Sequence, residues 1–250
     1  MAFDKNSNWF TFLFAAIMVV VVGVSLAALA ISLKPLQDRN LELEKMKNIM
    51  MSINVMSKSD DMYDAEELYE QLITDGAVLA SNGSVKYSGR DTTFAVDVQK
   101  EFKSLGYDER NYPILVANHE GNTYYVIPMV GKGLWGPIWG YVSLKDDFTT
   151  VYGATFDHKT ETPGLGAEIS EEGFQVQFKE KTLNMAATAS GASSSLLFEV
   201  LKGGSGVTKD YAVDGITGGT VTSKGVQEMI DRSVRVYLPY FETKKSQATL

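Results

Sequence analysis

The sequence predicts an α+β fold, a single mixed domain held on one N-terminal transmembrane helix. Three observations lead there. No charged residue interrupts 6–33, which is almost wholly apolar from Trp9 onward. Short β-branched and aromatic segments, separated by Gly, Asn and Asp turns, fill 112–156. On both sides of them apolar residues recur at spacings of three and four, the period of a helix with one buried face.

At about 1.5 Å rise per residue the apolar run is long enough to cross a hydrocarbon core of about 30 Å. Trp9 and Phe10 at one end and Lys34 at the other are suitable interfacial anchors. Ala28-Leu29-Ala30 resembles a small-x-small cleavage site, but the run exceeds the about 7 to 15 residues of a signal-peptide core. An uncleaved anchor over 1–34 is therefore expected. Only Lys5 precedes the span, whereas Lys34, Arg39, Lys45 and Lys47 follow it, which by itself puts the following domain on the cytoplasmic side.

Pro35 is expected to end this helix. A second helix is expected from Asp38, with Leu43, Met46, Ile49, Met50, Ile53 and Met56 on one face. Asp60 to Ile73 reads as an acidic helix that buries Ala65, Leu68, Tyr69 and Leu72. Gly76 to Asp91 mixes turn residues with short apolar pieces, and Phe94 to Leu105 reads as a further helix. Together 35–110 form a juxtamembrane helical segment packed on a core over 111–241, with a polar tail at 242–250.

Within that core, strands are expected at Tyr112–Asn118, Thr123–Val130, Trp139–Leu144 and Phe148–Phe156. His119-Glu120-Gly121-Asn122 supplies a hairpin turn. Glu168–Phe178 is compatible with a helix or with irregular structure. Leu183–Ser195, rich in Ala, Ser and Thr, reads as a loop. A strand at Leu196–Leu201, a turn at Gly203-Gly204-Ser205-Gly206 and a helix over Lys224–Tyr237 complete the chain. That helix buries Val226, Met229, Ile230, Val234 and Tyr237.

Composition removes several function classes. The absence of cysteine excludes disulfides, thiolate metal sites and Cys nucleophiles in this polypeptide. A net charge of −8 without any cluster of Lys and Arg argues against nucleic acid as a partner. His158 and Glu161 have a His-x-x-Glu spacing, but no third ligand lies nearby, so metal ligation is not expected. No Gly-x-Ser-x-Gly elbow gives His158 a nucleophile to serve.

What remains is three glycine-rich stretches: Gly131-Lys132-Gly133-Leu134-Trp135-Gly136-Pro137-Ile138-Trp139-Gly140, Glu161-Thr162-Pro163-Gly164-Leu165-Gly166-Ala167-Glu168, and Asp214-Gly215-Ile216-Thr217-Gly218-Gly219-Thr220-Val221-Thr222-Ser223. The first two allow close backbone approach beside the flat apolar surfaces of Trp135, Trp139 and Leu165. The third opens a helix, where free N–H groups and the positive dipole end suit a phosphate. It is equally compatible with an ordinary turn capped by Thr222 or Ser223. Three such loops in one domain suit a flat aromatic ligand bearing a phosphate.

The third stretch resembles the flavinylation motif of the FMN-binding domain family, in which Asp, two variable residues, Ser or Thr, Gly, Ala and a final Thr precede a helix. Gly219 stands where alanine is typical. The other two stretches are similar to the family's Gly-Lys-Gly-Leu-Trp and Glu-Thr-Pro-Gly-Leu-Gly segments. The resemblance implies a covalent FMN, joined by a phosphoester to Thr220, with Asp214, which a flavin transferase reads, and Thr217, Gly218 and Gly219 as cofactor-binding residues of the same turn. It also implies Thr162, Gly164 and Leu165 against the flavin, and Trp135 beside it or bracing the loop. The function implied is an electron relay in a membrane respiratory complex, from NADH to quinone with Na+ translocation, among the complex's other membrane subunits. An Rnf-type ferredoxin:NAD+ oxidoreductase subunit and a cofactor-free anchored scaffold are the alternatives. Flavin transfer in this family takes place outside the cytoplasm, so the resemblance puts the domain in the periplasm of a bacterial inner-membrane protein, against the charge asymmetry.

Overall fold

A computed structural model describes residues 7–189 and 196–248. They fall into two compact units, one through Lys45 and one from Met46 onward.

The first unit is most of helix α1, Asn8–Ser52, whose apolar window has a mean hydropathy of 2.8 and makes it long and apolar enough to cross a membrane. Pro35 does not end this helix, contrary to the sequence expectation: α1 runs through it without interruption. A proline removes one i to i−4 bond, and the flanking turns on both sides remain helical. Lys34 pairs with Asp38 and Arg39 with Glu42 across exposed turns, at 3.2 and 3.6 Å.

The second unit is organised by a six-stranded sheet. From Met46 the end of α1 is amphipathic as expected, with Met46, Ile49 and Met50 buried, and Ile53 and Met56 are buried just after it. Helix α2, Asp64–Leu72, buries Ala65 and Tyr69 and stops one residue short of the expected end, because Ile73 opens a strand. Strands β1, Ile73–Leu79, and β2, Val85–Ser88, form a hairpin in a region read from sequence only as turns and apolar pieces. Helices α3, Arg90–Phe94, and α4, Val98–Ser104, replace the single helix expected there. Asp97 separates them by capping α4, its carboxylate accepting the Lys100 N–H at 2.9 Å.

The expected strands follow as β3, Tyr112–His119, β4, Asn122–Lys132, β5, Pro137–Leu144, and β6, Val151–His158. The strand order is β2-β1-β3-β4-β5-β6, and every neighbouring pair is antiparallel. Glu120 and Gly121 have φ of 50° and 79°, the left-handed pair that a tight hairpin needs. Phe148 is not in β6 but in the turn before it, at φ 59°.

Both faces of the sheet are buried except at its edge strand β2, and side-chain alternation sorts residues between them. Leu115, Ala117, Tyr124, Val126 and Tyr141 pack under the end of α1 and under α2. Ile114, Ile127, Met129, Ile138, Val142 and Leu144 face the other core, shared with Val226, Met229, Ile230, Val234 and Tyr237.

After β6 the chain makes irregular helical turns over 166–178 that include the short α5, Glu172–Gln175. They are held by packed rings: Phe174 meets Phe178 edge-on at 5.3 Å, and Phe178 stacks on Phe198 at 5.2 Å. Helix α6, Ala186–Ala189, lies in the expected loop, and residues 190–195 of that loop lie outside those described. Strand β7, Glu199–Leu201, pairs in parallel with β8, Ala212–Asp214, a strand the sequence reading missed. Helix α7, Thr220–Ala248, is longer at both ends than the expected 224–237, and 242–248 continue it as helix.

Candidate functional site

The three glycine-rich stretches lie at β4–β5, after β6, and between β8 and α7, and one side chain joins them. Glu161 is 4% exposed. Its Oε1 accepts the backbone N–H of Trp135 at 2.8 Å and that of Gly136 at 3.3 Å. Its Oε2 accepts the Thr222 hydroxyl at 2.5 Å. Burial alone raises the pKa of this carboxyl, but the Thr222 hydroxyl and the N–H groups of Trp135, Gly136 and Leu134 outweigh it and hold the group below the usual carboxylate range.

The surrounding glycines leave no room for anything larger. A Cβ on Gly133 would lie 2.6 Å from Glu161 Oε1, and one on Gly166 would lie 2.5 Å from both Glu161 Oε2 and Thr222 Oγ1. The Glu161 N–H donates to His158 Nδ1 at 3.2 Å, so the His-x-x-Glu pair is an internal brace. Sequence reasoning considered Glu161 only as a metal ligand and missed this role. Its only signal was a carboxylate at the head of a glycine-rich stretch.

The 214–223 turn is built in steps. The Asp214 carboxylate accepts the Gly206 N–H at 2.7 Å, and the Asp214 N–H donates to Gln177 Oε1 at 2.9 Å. This fixes the end of β8. Gly218 has φ 79°, and its missing Cβ would sit 2.5 Å from Leu165 Cδ2. A Cβ on Gly219 would be 3.0 Å from Ile216 Cγ2 and 3.1 Å from the Leu165 carbonyl oxygen. The second and third loops therefore touch at Leu165. Glycine at 219 fits that contact, whereas an alanine would need its neighbours to yield by a few tenths of an ångström.

The Gly219 carbonyl accepts the first helical bond, from the Ser223 N–H at 2.9 Å, so Gly219 caps α7. The expected capping by Thr222 or Ser223 is thus corrected. Both are buried inside the first turn, where Thr222 holds Glu161 and Ser223 Oγ accepts the Ile216 N–H at 3.0 Å.

Thr220 is the first residue of α7 and is exposed, and none of the side-chain hydrogen bonds among the described residues involves its hydroxyl. The apolar side chains of these loops are also open: Trp135 is 67% exposed, Val221 54% and Leu165 42%. Thr162, Gly164 and Thr217 are exposed beside them. The Thr162 carbonyl accepts from the Leu165 and Ala167 N–H groups, both at 3.1 Å, and Gly164, at φ 74°, donates to Glu168 Oε1 at 2.9 Å. Trp139, by contrast, is half-buried in β5.

The site residues all fall within 133–235, which matches the sequence profile of the FMN-binding domain. Across 237 residues, 90% of this chain and 88% of the relative, the chain is 30% identical to the NqrC subunit of the Na(+)-translocating NADH-quinone reductase of Haemophilus ducreyi. It is also 30% identical to the same subunit of Neisseria meningitidis serogroup A over 263 residues, 98% of this chain and 97% of the relative. The chain belongs to the NqrC family. A crystal structure of the family member from Parabacteroides distasonis, 39% identical, superposes with a TM-score of 0.71 over 84% of this chain and 96% of that one. NqrC of Shewanella oneidensis shares the fold, with a TM-score of 0.65 at 19% identity over 83% of this chain and 99% of that one.

The residues present fit an FMN, the ligand for which the matched domain is named. The first turn of α7 leaves the N–H groups of Thr220, Val221 and Thr222 without i−4 partners, and the dipole there favours an anion. Leu165 and Val221 supply exposed apolar surface at this turn, and Trp135 an exposed ring on the loop that Glu161 joins to it, surfaces which a flat ring system would cover.

Proposed function

We propose that this chain is the covalently flavinylated subunit of a Na+-translocating NADH:quinone reductase, and that Thr220 is the attachment residue. The observation that carries this is a threonine hydroxyl at the N-terminus of α7, exposed and without a side-chain hydrogen bond among the described residues, in a turn that touches Leu165 and continues into the exposed Val221. The end-to-end likeness to NqrC relatives favours this complex over an Rnf-type one.

Attachment uses FAD and Mg2+ brought by a flavin transferase. Thr220 Oγ1 forms the bond to the FMN phosphorus, the pyrophosphate bond breaks, AMP leaves, and the hydroxyl proton passes to a base of the transferase. That base is external because Glu161, the buried carboxylate of the site, is committed to Thr222. Asp214 is likewise tied to Gly206, so it shapes the recognised turn. Once attached, FMN supplies the redox chemistry. The α7 N-terminus would stabilise the phosphodiester, and Thr162, Gly164, Leu165 and Trp135 would hold the ring.

The chain then relays electrons between the other membrane subunits, from NADH toward quinone, while Na+ is moved elsewhere. The span through 8–33 carries no ionisable side chain and meets only lipid and neighbouring subunits. We place the domain in the periplasm, where the transferase of this family works. A reporter fused after Leu250 is expected to be active only there, and cytoplasmic activity would overturn the orientation.

The test of attachment is the full chain produced with the transferase. A fluorescent band that survives denaturing electrophoresis is expected, and it disappears in Thr220→Ala. A band that persists in that variant overturns the assignment. Identifying the subunits that purify with the chain separates the two complexes.

A further inference from the structure

Glu161 ties its own loop to the Trp135 loop and to the first turn of α7 through one carboxylate. Its position makes a demand beyond stability. The Trp135 loop and the α7 N-terminus belong to different elements, and an attachment site needs both fixed at once. We propose that Glu161 is the positioning residue of the flavin site, its two carboxylate oxygens locking the Trp135 loop and the first turn of α7 so that Thr220 is presented in a preformed cradle. This rests on the attachment reading above.

The geometry separates the tether from the charge. Oε1 serves two backbone N–H groups of one loop, at 2.8 and 3.3 Å, while Oε2 serves one hydroxyl of the other, at 2.5 Å. Gly133 and Gly166 flank the carboxylate so closely that a Cβ on either would lie 2.6 or 2.5 Å from one of its oxygens, so the clamp has room only for glycine on both sides. Glu161 does not touch Thr220 itself. It acts through Thr222, which is two positions further along α7 and therefore moves with the same turn.

A glutamine at 161 keeps the length, an acceptor for Trp135 and a polar group for the Thr222 hydroxyl, which can accept as well as donate. An aspartate keeps the charge and loses the reach. A valine at 222 removes only the α7 half of the clamp.

The experiment uses the full chain produced with its flavin transferase. It follows the attachment rate by in-gel fluorescence and records the visible circular dichroism of the attached flavin and the thermal melt. Glu161→Asp and Thr222→Val are expected to attach flavin about tenfold more slowly, the loss of the one hydrogen bond that ties the clamp to α7, and to change the flavin dichroism. Glu161→Gln is expected to recover most of the rate. Wild-type rates and dichroism in Glu161→Asp and Thr222→Val overturn the proposal, as does a Glu161→Gln variant no better than Glu161→Asp. If Glu161→Asp fails to fold, Thr222→Val and Glu161→Gln decide the matter in the same way. Persistence of label in Thr220→Ala sinks the attachment reading and with it the presentation of Thr220, and it is seen in a separate lane, so the two failures are told apart.

Discussion

The Thr222 hydroxyl donates to Glu161 Oε2 at 2.5 Å across 61 residues of sequence. A buried carboxylate is thereby satisfied by a helix's own first turn, and the stability of the site becomes tied to pH. The folded-state pKa of Glu161 is lowered from its ordinary value of 4.5. A depressed carboxylate contributes stability that is fully present above its unfolded pKa and is lost as pH falls through the folded one.

Thermal melts from pH 7 to pH 3 are expected to fall more steeply below about pH 4.5 in the wild type than in Glu161→Gln, which has no carboxylate to protonate. At pH 7 Thr222→Val should be less stable by about 1–2 kcal/mol, since it removes the hydroxyl donor from a buried anion. Parallel curves for the wild type and Glu161→Gln would show that this carboxylate is not linked to folding.

Two glycines of the same loop should respond differently to alanine. At Gly166 the added methyl would overlap Glu161 and Thr222 at 2.5 Å, so Gly166→Ala should cost about 1–3 kcal/mol. At Gly164 nothing lies within 4 Å of the new Cβ, and the cost is limited to the backbone strain of φ 74°, about 1 kcal/mol. Denaturant titrations of the two variants check the order, and equal losses would mean that the clamp around Glu161 yields.

These residues also mark how far the sequence could be read. The central strands were legible because turn residues such as Glu120-Gly121 separate β-rich runs. β1 was not legible, because Gly76 to Leu79 is buried on both faces and loses the alternating pattern, while β2 is exposed throughout. Pro35 is no boundary because a helix this long tolerates one missing bond. The three loops of the site stood out by their glycines, and Thr220 by its place before a helix. Glu161 stayed hidden, since its partners are backbone N–H groups and a threonine far along the chain. Tertiary contact alone reveals it.

On the α7 face of the sheet, the Tyr237 hydroxyl donates to the Pro113 carbonyl at 2.8 Å, and Tyr237 is fully buried. Tyr237→Phe keeps the ring and leaves that acceptor one bond short, so a loss of about 1 kcal/mol is expected in chemical denaturation. An unchanged midpoint would show that the carbonyl is fully served by the β1–β3 ladder.

Tyr69 on α2 should behave in the opposite way. It is 2% exposed, its ring packs on Phe94 at 5.1 Å, and its hydroxyl finds no hydrogen-bond partner among the described residues. Burial pushes its pKa well up, so the hydroxyl stays neutral and its proton is a donor with no acceptor. The polar atom costs free energy where it lies, while the ring contributes packing that phenylalanine would retain. Tyr69→Phe is therefore expected to stabilise the domain, by up to about 1 kcal/mol, read as a higher denaturation midpoint with an unchanged slope. The Thr93 hydroxyl on α3 is buried and unpartnered in the same sense, and Thr93→Val offers an independent check. If both substitutions destabilise, an ordered water must satisfy each hydroxyl. If only Thr93→Val does so, the cause is its tight packing on Gly76, where a Cβ would come within 2.7 Å of the Thr93 hydroxyl.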